Sequence, residues 1–339
     1  GDNNAYTTND LTNYYCQLPA QNIETAFWLE SDRMLSLAFS EKSLSVQRKV
    51  VCEEFREHYI NKPYGDVWKQ MRELAYTVHP YKWMTIGKEL SHVENALIDD
   101  VKHFFFKHYR PINAILVVAG KVKTADIKQL AQKWFGPIPM GDKYIRCLPQ
   151  EPVQDQARRL TIEAAVPLDA FVKTWHMDAR LNKGYYTADL ITEILGGGAS
   201  SRLYQSLVKE QKLFSNLDCY HFGSLDAGLL TIEGKLVKGV DINKAEQAIS
   251  EQIALIQEQP VSIAELTKVK NKTESVIAFE DMSIMSRASS LAMYELMGDA
   301  SLMNTELEKY QEINPQDIVD YSKQIFRESN SNTLHYLAK

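Results

Sequence analysis

The chain has 339 residues, which at about 150 residues per domain predicts two domains. Its net charge of −6, with 38 basic against 44 acidic residues, argues against a nucleic-acid binder. The longest apolar run, residues 114–119, is far shorter than the roughly 20 residues of a membrane span, and four scattered cysteines without a CxxC pair indicate neither a disulfide scaffold nor a thiolate zinc site.

The first part of the chain is predicted to begin with a β-hairpin. Tyr6 and Thr8, and again Thr12 and Tyr14, recur at every second position on the two sides of a turn at Asn9 and Asp10. Ser40 is predicted to cap a helix that continues to about residue 60. The apolar run 112–120 is typical of a strand buried on both faces. The other predicted elements here are helices, at residues 24–39, 64–75, 93–108 and 125–134.

A proline-rich stretch is predicted to separate two domains. Residues 141–156 are taken as the linker between a first domain, residues 1–140, and a second, residues 157–339. Ser262 with Glu265, and Asn314 with Pro315, are typical of helix starts. The second domain is predicted to contain strands at 159–165, 170–178, 214–222, 229–236 and 333–337, and helices at 186–195, at 242–257, after residue 262 and after residue 315.

The order of these elements favours an α+β fold over a doubly wound parallel sheet, because long helices are segregated from meandering strands. A helix, a short break and an apolar strand occur at residues 93–120 and again at 315–338, which indicates internal duplication. We therefore predict two homologous domains, each a mostly antiparallel sheet covered by helices. Because the chain begins inside a hairpin, the first domain is predicted to be incomplete.

The helix predicted around residues 47–58 carries the most informative side chains. Val51, Phe55 and His58 are expected to form one stripe, and Glu54 lies one turn from both Val51 and His58. A carboxylate beside an apolar stripe needs an Arg partner, a water-filled cleft or a metal ion. Glu54 and His58 could form a two-ligand metal patch, but the local pattern by itself favours a solvated helix edge.

A glycine-rich segment, residues 196–201 with the sequence GGGASS, lies between two predicted helices. It therefore does not match the strand-to-helix phosphate loop of a dinucleotide fold. We predict instead an interhelical turn with close backbone contacts. His176, alone on a predicted strand, is interpreted as structural.

Six blocks of sequence occur in a recognisable order. They are NNAYTTNDLTNYY (3–15), WLESDRM (28–34), QRKVVCEEFREHYINKPYG (47–65), YRPINAILVVAG (109–120), GGGASSRLYQSL (196–207) and DAGLL (226–230). In order and spacing these blocks resemble the pitrilysin/insulinase family of zinc metallopeptidases, the inverzincins, in the bacterial branch related to mitochondrial processing peptidase. The resemblance covers essentially the whole chain and implies two homologous domains of processing-peptidase type.

The resemblance also implies a zinc site. The family holds zinc with an inverted HxxEH motif and a downstream Glu, a ligand set that leaves one position for an activated water. The position that matches the downstream ligand is Glu54. Glu57, one turn further on, is expected to support it, and Gln47 stands where the family often has an acid.

An edge strand for substrate is implied as well. Asn4, Ala5 and Tyr6 match the family strand whose backbone pairs with an extended peptide. Such strand addition supplies affinity through main-chain hydrogen bonds without demanding one side-chain sequence.

The chain departs from the family pattern in two places. No HxxEH occurs in it, so no catalytic residue is assigned here, and the motif is expected upstream of Gly1 in a longer protein. Active relatives often carry an Arg and a Tyr in the second domain that hold the scissile carbonyl, and the matching positions here are Val208 and Ser215.

The resemblance thus implies a subunit of a zinc endopeptidase that cleaves peptides or unfolded segments inside a clamshell chamber. This chain is expected to be inactive alone, to bind zinc weakly or not at all, and to act with a homologous partner subunit or as a homodimer. The alternative is a noncatalytic scaffold or peptide-binding subunit of a heterodimeric peptidase. The compartment, cytoplasmic or periplasmic, stays open.

Overall fold

The computed structural model describes residues 1–339. Its β-strands are β1 (Asp2–Thr7), β2 (Thr12–Gln17), β3 (Arg158–Ala164), β4 (Ala170–Met177), β5 (Phe214–Phe222), β6 (Gly228–Leu236) and β7 (Ser331–Ala338). Its α-helices are α1 (Ile23–Leu35), α2 (Glu41–Phe55), α3 (Val67–Ala75), α4 (Leu90–Glu94), α5 (Ile98–His108), α6 (Thr124–Trp134), α7 (Lys183–Gly196), α8 (Ile242–Glu258), α9 (Ile263–Glu280), α10 (Ile284–Leu296), α11 (Glu306–Gln311) and α12 (Pro315–Ile325). Every helix is too short or too polar to cross a bilayer.

The chain divides into two compact units. The first contains Gly1–His58, Met84–Cys147 and Ala278–Asn304, and the second contains Tyr59–Trp83, Leu148–Ile277 and Thr305–Lys339. The division at a linker formed by residues 141–156 stays a prediction. Residues 141–156 themselves contain no helix or strand.

The first unit begins with the predicted hairpin. β1 and β2 pair antiparallel, with Thr7 opposite Thr12. The turn is held locally, because the Thr8 amide donates to the Leu11 carbonyl at 2.8 Å and the Thr8 hydroxyl oxygen accepts from the Asp10 amide at 3.3 Å. These bonds explain why polar residues between two alternating segments predict the turn correctly.

The start of α2 is also confirmed. The Ser43 amide donates to the Ser40 hydroxyl oxygen at 3.1 Å, and the Ser40 amide donates to the Ser43 hydroxyl oxygen at 3.3 Å. This reciprocal capping box satisfies two amides that the first helical turn leaves without a partner.

The prediction of one helix at residues 93–108 is wrong, because the structure has two helices there, α4 and α5. The Leu97 amide donates to the Asp100 carboxylate at 3.1 Å and so starts a new helix at Ile98.

The strand predicted at residues 112–120 is absent. Pro111–Asn113 form a short 3-10 turn, and residues 114–119 that follow are neither helical nor paired with another strand. Ile115 and Leu116 are 40% and 50% exposed. The apolar pattern predicted a buried strand, but no strand among residues 1–339 pairs with this segment.

The second unit is built on a five-stranded sheet in the order β3-β7-β4-β6-β5. β3 and β7 are parallel, and the other pairs are antiparallel. One face packs against α7 and α12, with α8 beside α12, and the other face packs against α3. The predicted α+β class is confirmed, and the predicted strands and helices of this unit lie within a few residues of the observed ones.

The glycine-rich segment is the predicted interhelical turn. Gly196 ends α7 so close to β5 that a Cβ there would lie 2.3 Å from the Cys219 amide nitrogen. β5 is held in place by its antiparallel ladder with β6, so its backbone has little freedom to move away. The close backbone contact therefore requires glycine at this position.

We expect Gly196→Ala to destabilise the second unit by about 1–3 kcal/mol, because the added methyl group overlaps backbone and overpacks the contact. Urea unfolding followed by tryptophan fluorescence measures this loss. Ala199→Ser, an exposed change in the same turn, is the matched control and should stay within about 0.5 kcal/mol of the wild type. Equal stability of Gly196→Ala and the control would contradict the contact.

The two units differ in the size of their cores. The second unit contains a large cluster of buried residues on the α7 face of its sheet and a smaller one under α3. The first unit has six buried hydrophobic side chains, Phe27, Cys52, Phe55, Phe105, Ile138 and Tyr294.

Candidate functional site

The helix that carries Glu54 is fixed within the first unit by two arginines. The Arg48 guanidinium donates to the carbonyl oxygens of Glu94 and Ala96, both at 3.2 Å. Arg56 lies 2.6 Å from the Glu53 carboxylate and 2.8 Å from that of Glu94. These bonds hold α2 against α4 at both ends of the segment around Glu54.

The predicted apolar stripe of this helix is only partly correct. Phe55 is buried, but His58 is exposed, and Cys52 is the other buried residue of α2. The reason is local, because Arg56–Ile60 form a wider π-type turn. Such a turn has more residues per turn than an α-helix, so a spacing of seven no longer keeps His58 on the face of Val51.

The opposite face of α2 is open and carries the predicted site residues. Glu54, Glu57 and Gln47 are all exposed. Val46 and Val50 on this face are 52% and 53% exposed. An open hollow on this side is lined by Lys49, Val50, Glu53, Glu54, Glu57 and His58.

The fit of a metal ion to these residues is incomplete. Glu54 and His58 lie four residues apart, and a third donor is needed before a tetrahedral ion is fixed. No group of three or more His, Cys, Asp or Glu side chains among residues 1–339 is arranged to hold an ion. These residues therefore do not form a zinc site by themselves.

The strand predicted to bind substrate is the outer strand of the hairpin. Asn4, Ala5 and Tyr6 are exposed on β1. β1 pairs with β2 on one side, and in this two-stranded sheet its other edge is open. The Ala5 amide donates to the side-chain oxygen of Asn4 at 2.8 Å. A free edge of this kind is what strand addition by a peptide requires.

The hairpin is anchored through β2, by residues for which the sequence offered no signal. The hydroxyl oxygens of Tyr14 and Tyr109 lie 2.6 Å apart, and the Arg33 guanidinium lies 4.5 Å from the centre of the Tyr14 ring. Burial, and then the hydrogen bond with Tyr14, raise the pKa of the Tyr109 hydroxyl. Arg146 adds an ion pair with Asp10 at 2.9 Å. These contacts fix β2 and leave β1 accessible.

The two positions that depart from the family pattern have structural roles in the second unit. Val208 is half-buried in the π-type turn Tyr204–Glu210 and packs against the main core. The Ser215 hydroxyl donates to the Lys235 carbonyl at 3.0 Å. Neither side chain offers the guanidinium or phenol that would hold a carbonyl oxygen.

Residues 96–273, more than half of the chain, match the family profile described as "Peptidase M16 inactive domain". The chain belongs to the M16 peptidase family, that of pitrilysin and insulinase. The resemblance seen in the sequence blocks is thereby confirmed, including its processing-peptidase-like branch.

Several M16 relatives match part or nearly all of the chain. "Zinc protease PqqE" of Helicobacter pylori is 26% identical over 98% of this chain and 76% of its own length. The beta subunit of mitochondrial-processing peptidase of Saccharomyces cerevisiae is 26% identical over 41% of this chain and 30% of its own. The crystal structure of a protease from Helicobacter pylori has a TM-score of 0.92 at 24% identity, covering 99% of this chain and 82% of that one.

Proposed function

We propose that this chain is a subunit of a zinc-dependent M16 endopeptidase that cleaves peptides or unfolded segments inside a closed chamber. The proposal rests on membership of the M16 family together with Glu54, which points away from the core on a helix that two arginines hold in place. Its neighbour Glu53 is already paired with Arg56, at 2.6 Å.

In the whole protein, Glu54 would be one zinc ligand, and the two imidazole ligands would come from an HxxEH motif outside these 339 residues. When bound, zinc held in this way would supply Lewis-acid chemistry and would lower the pKa of a bound water molecule. Glu57, one turn from Glu54 on the same open face, would orient the ligand. Gln47 lies on that face two turns earlier and, being neutral, adds no charge.

The exposed β1 edge would hold the substrate. An extended peptide adds to Asn4, Ala5 and Tyr6 through backbone hydrogen bonds, so unfolded segments of many sequences would be accepted. Folded proteins would be poor substrates, because their backbone groups are already paired.

We further propose that additional strands complete the first domain in the whole protein. Two observations support this proposal. The first unit has few buried hydrophobic side chains, and its apolar segment 114–119 pairs with no strand. A strand beside residues 114–119 would satisfy their backbone groups and cover Ile115 and Leu116. A homologous subunit, or a second copy, would then close the chamber.

The test compares two lengths of the protein. The 339-residue chain should show no chelator-sensitive cleavage of a fluorogenic unfolded peptide, because one carboxylate does not fix a zinc ion. A longer gene product with an HxxEH motif, expressed with its partner, should cleave the peptide, lose activity with chelator and regain it with zinc. Chelator-sensitive activity of the 339-residue chain alone would contradict the proposal.

A noncatalytic subunit that binds peptides is the second candidate. It is favoured by the absence of an Arg and a Tyr at positions 208 and 215 and by the matched profile, which describes an inactive domain. A longer gene product without HxxEH, which binds unfolded peptide but never cleaves it, would favour this candidate.

A further inference from the structure

We propose that residues 76–83 form a pH-sensitive clasp, closed while the His79 imidazole is neutral, which ties residues 148–157 to the loop between β5 and β6. All of these residues lie in the second unit. The proposal is independent of the peptidase assignment, because no part of the clasp belongs to the α2 and β1 surfaces.

His79 is the centre of the clasp. Its side chain is 3% exposed. Its Nδ1 accepts a hydrogen bond from the Tyr81 amide at 3.1 Å, and this bond caps the short 3-10 turn Pro80–Lys82. Its Nε2 lies 3.0 Å from the Asp226 carboxylate. An imidazole that accepts at Nδ1 must carry its proton at Nε2, so the ring is neutral and donates to Asp226.

The clasp joins two other segments. On one side, the Asp226 amide donates to the Tyr81 hydroxyl oxygen at 3.2 Å, and the Tyr76 hydroxyl donates to the Ala227 carbonyl at 3.0 Å. On the other side, the Glu151 carboxylate accepts from the amides of residues 77, 78 and 79 at 2.7, 3.0 and 2.9 Å. The turn around His79 therefore connects residues 148–157 with the β5–β6 loop.

Protonation of His79 is incompatible with this arrangement. An imidazolium has N–H groups at both ring nitrogens, so Nδ1 would face the Tyr81 N–H donor to donor. The charge would also be attracted to Asp226, but that side chain is 38% exposed and its attraction is screened by water. The bond to the Tyr81 amide is thus present only while the ring is neutral, and protonation removes the cap of the 3-10 turn.

Two carboxylates and one histidine approach the clasp from other elements. Asp226 comes from the β5–β6 loop and Glu151 from the 148–157 segment. Burial would raise the pKa of Glu151, but the amides of His79 and its neighbours and the Thr77 hydroxyl outweigh it and lower the pKa to about 2. Glu151 therefore stays ionised in mild acid. Burial lowers the pKa of His176 of β4, whose ring lies 5.0 Å from that of Tyr76, and so disfavours its protonation.

The cations around the clasp are bound to carbonyl oxygens. Lys82 donates to the Thr77 carbonyl at 3.0 Å. Arg158 of β3 donates to the Leu74 and Ala75 carbonyls, at 3.0 and 2.6 Å. Arg72 of α3 donates to the Trp83 carbonyl at 3.4 Å. None of these bonds depends on pH in the range where histidine titrates, so His79 is the switching group of the clasp.

Amide hydrogen exchange of the 339-residue chain between pH 7.5 and 5 tests the clasp, with rates corrected for intrinsic exchange. Protection of the Tyr81 amide should fall roughly tenfold, because its acceptor is lost. The midpoint should equal that of the His79 ring, followed by NMR of labelled histidine. Titration of His79 without loss of protection, or no titration of His79 above pH 5, would each overturn the proposal.

Two variants sharpen this experiment. In His79→Asn, an amide oxygen that does not titrate replaces Nδ1 before Pro80, so protection of the Tyr81 amide should persist and become independent of pH. His92→Asn is the matched control, since the His92 side chain is 60% exposed and lies in the first unit. It should leave the pH dependence at Tyr81 unchanged, and an equal effect of both variants would contradict the clasp. Unfolding curves confirm that each variant folds.

Discussion

Glu54→Gln in the longer, zinc-loaded protein should reduce zinc affinity by at least about a hundredfold and abolish chelator-sensitive cleavage. Loss of a group that only supports a metal ligand lowers metal affinity 10- to 100-fold, so loss of a ligand itself should lower the affinity further. A neutral amide does not offset the charge of the ion. Competition with a zinc-binding dye measures the affinity, and circular dichroism checks that the helix is retained.

Glu53→Gln is the matched control for this prediction. Glu53 is the adjacent carboxylate on α2, its side chain is 73% exposed, and its carboxylate is already paired with Arg56. An exposed ion pair of this kind contributes little to stability, so the variant should keep the fold, and its zinc affinity and cleavage should stay close to those of the wild type. Full zinc occupancy in Glu54→Gln, or equal losses in the two variants, would remove Glu54 from the ligand set.

Glu246→Gln should lower the free energy of unfolding of the second unit by about 3–5 kcal/mol, because it breaks a buried ionic cluster. The Glu246 carboxylate on α8 is contacted by Arg159 at 2.6 and 2.8 Å, by Lys173 at 3.2 Å and by His335 at 3.0 Å. The Lys173 side chain is only 5% exposed. An amide would leave Arg159 and Lys173 without their main counter-charge. Urea unfolding followed by the fluorescence of the nearby, buried Trp175 measures the effect.

Glu328→Gln tests the same cluster from its exposed side. Glu328 also contacts Lys173 and Arg159, at 3.4 and 3.8 Å, but its side chain is 66% exposed. Its removal should therefore cost less than about 1 kcal/mol. Similar losses in the two variants would show that burial does not determine the strength of this cluster.

The Glu246 prediction has a defined pH dependence. Burial would raise the pKa of Glu246, but hydrogen bonds from His335 and Arg159 and the charge of Lys173 outweigh it and hold the pKa well below its ordinary value of 4.5. A lowered pKa stabilises the fold at pH values above 4.5, and this contribution is lost as the pH falls below it. The difference between the wild type and Glu246→Gln should accordingly shrink as the pH is lowered from 5 toward 2.

Elements with local causes could be predicted from the sequence. The Asn314 side chain accepts from the amides of Gln316 and Asp317, and Asp317 accepts from the Asn314 amide, so the start of α12 depends on four consecutive residues. The hairpin turn at residues 8–11 depends on equally short-range bonds. The break between α4 and α5 is local too, but Leu97 is not a recognised cap residue, so the bond from its amide to the Asp100 carboxylate has no signature in the sequence.

The segment 112–120 shows where a local pattern fails. Its apolar residues are as suitable for a buried strand as those of β4, but a strand needs a neighbour. β4 pairs on both sides, with β6 and β7, whereas residues 114–119 pair with none. Whether a partner strand is present depends on the whole chain, so the hydrophobicity of one segment does not predict it.

The same distinction between local and long-range causes applies to the candidate site. The local pattern of α2 favoured a solvated edge for Glu54, and only the order of several sequence blocks assigned it a ligand role. The exposure of Glu54 agrees with both interpretations, so the ligand role stays a prediction. The arginines that fix α2 reach residues 94 and 96, which lie 38, 46 or 48 positions further along the chain, and no spacing rule identifies such partners.

By itself, the sequence determined the α+β class, most strands and helices of the second unit, the helix starts at Ser40 and Asn314, the hairpin turn, and membership of the M16 family, because these depend on short-range bonds, periodicity and motif order. The tertiary structure decided which pairs meet across long separations. His79 and Asp226 are 147 residues apart, and Arg159 and Glu246 are 87 apart. The strength of such contacts depends on the burial that folding creates, and burial of a polar side chain is decided by the surrounding elements rather than by its neighbours in sequence.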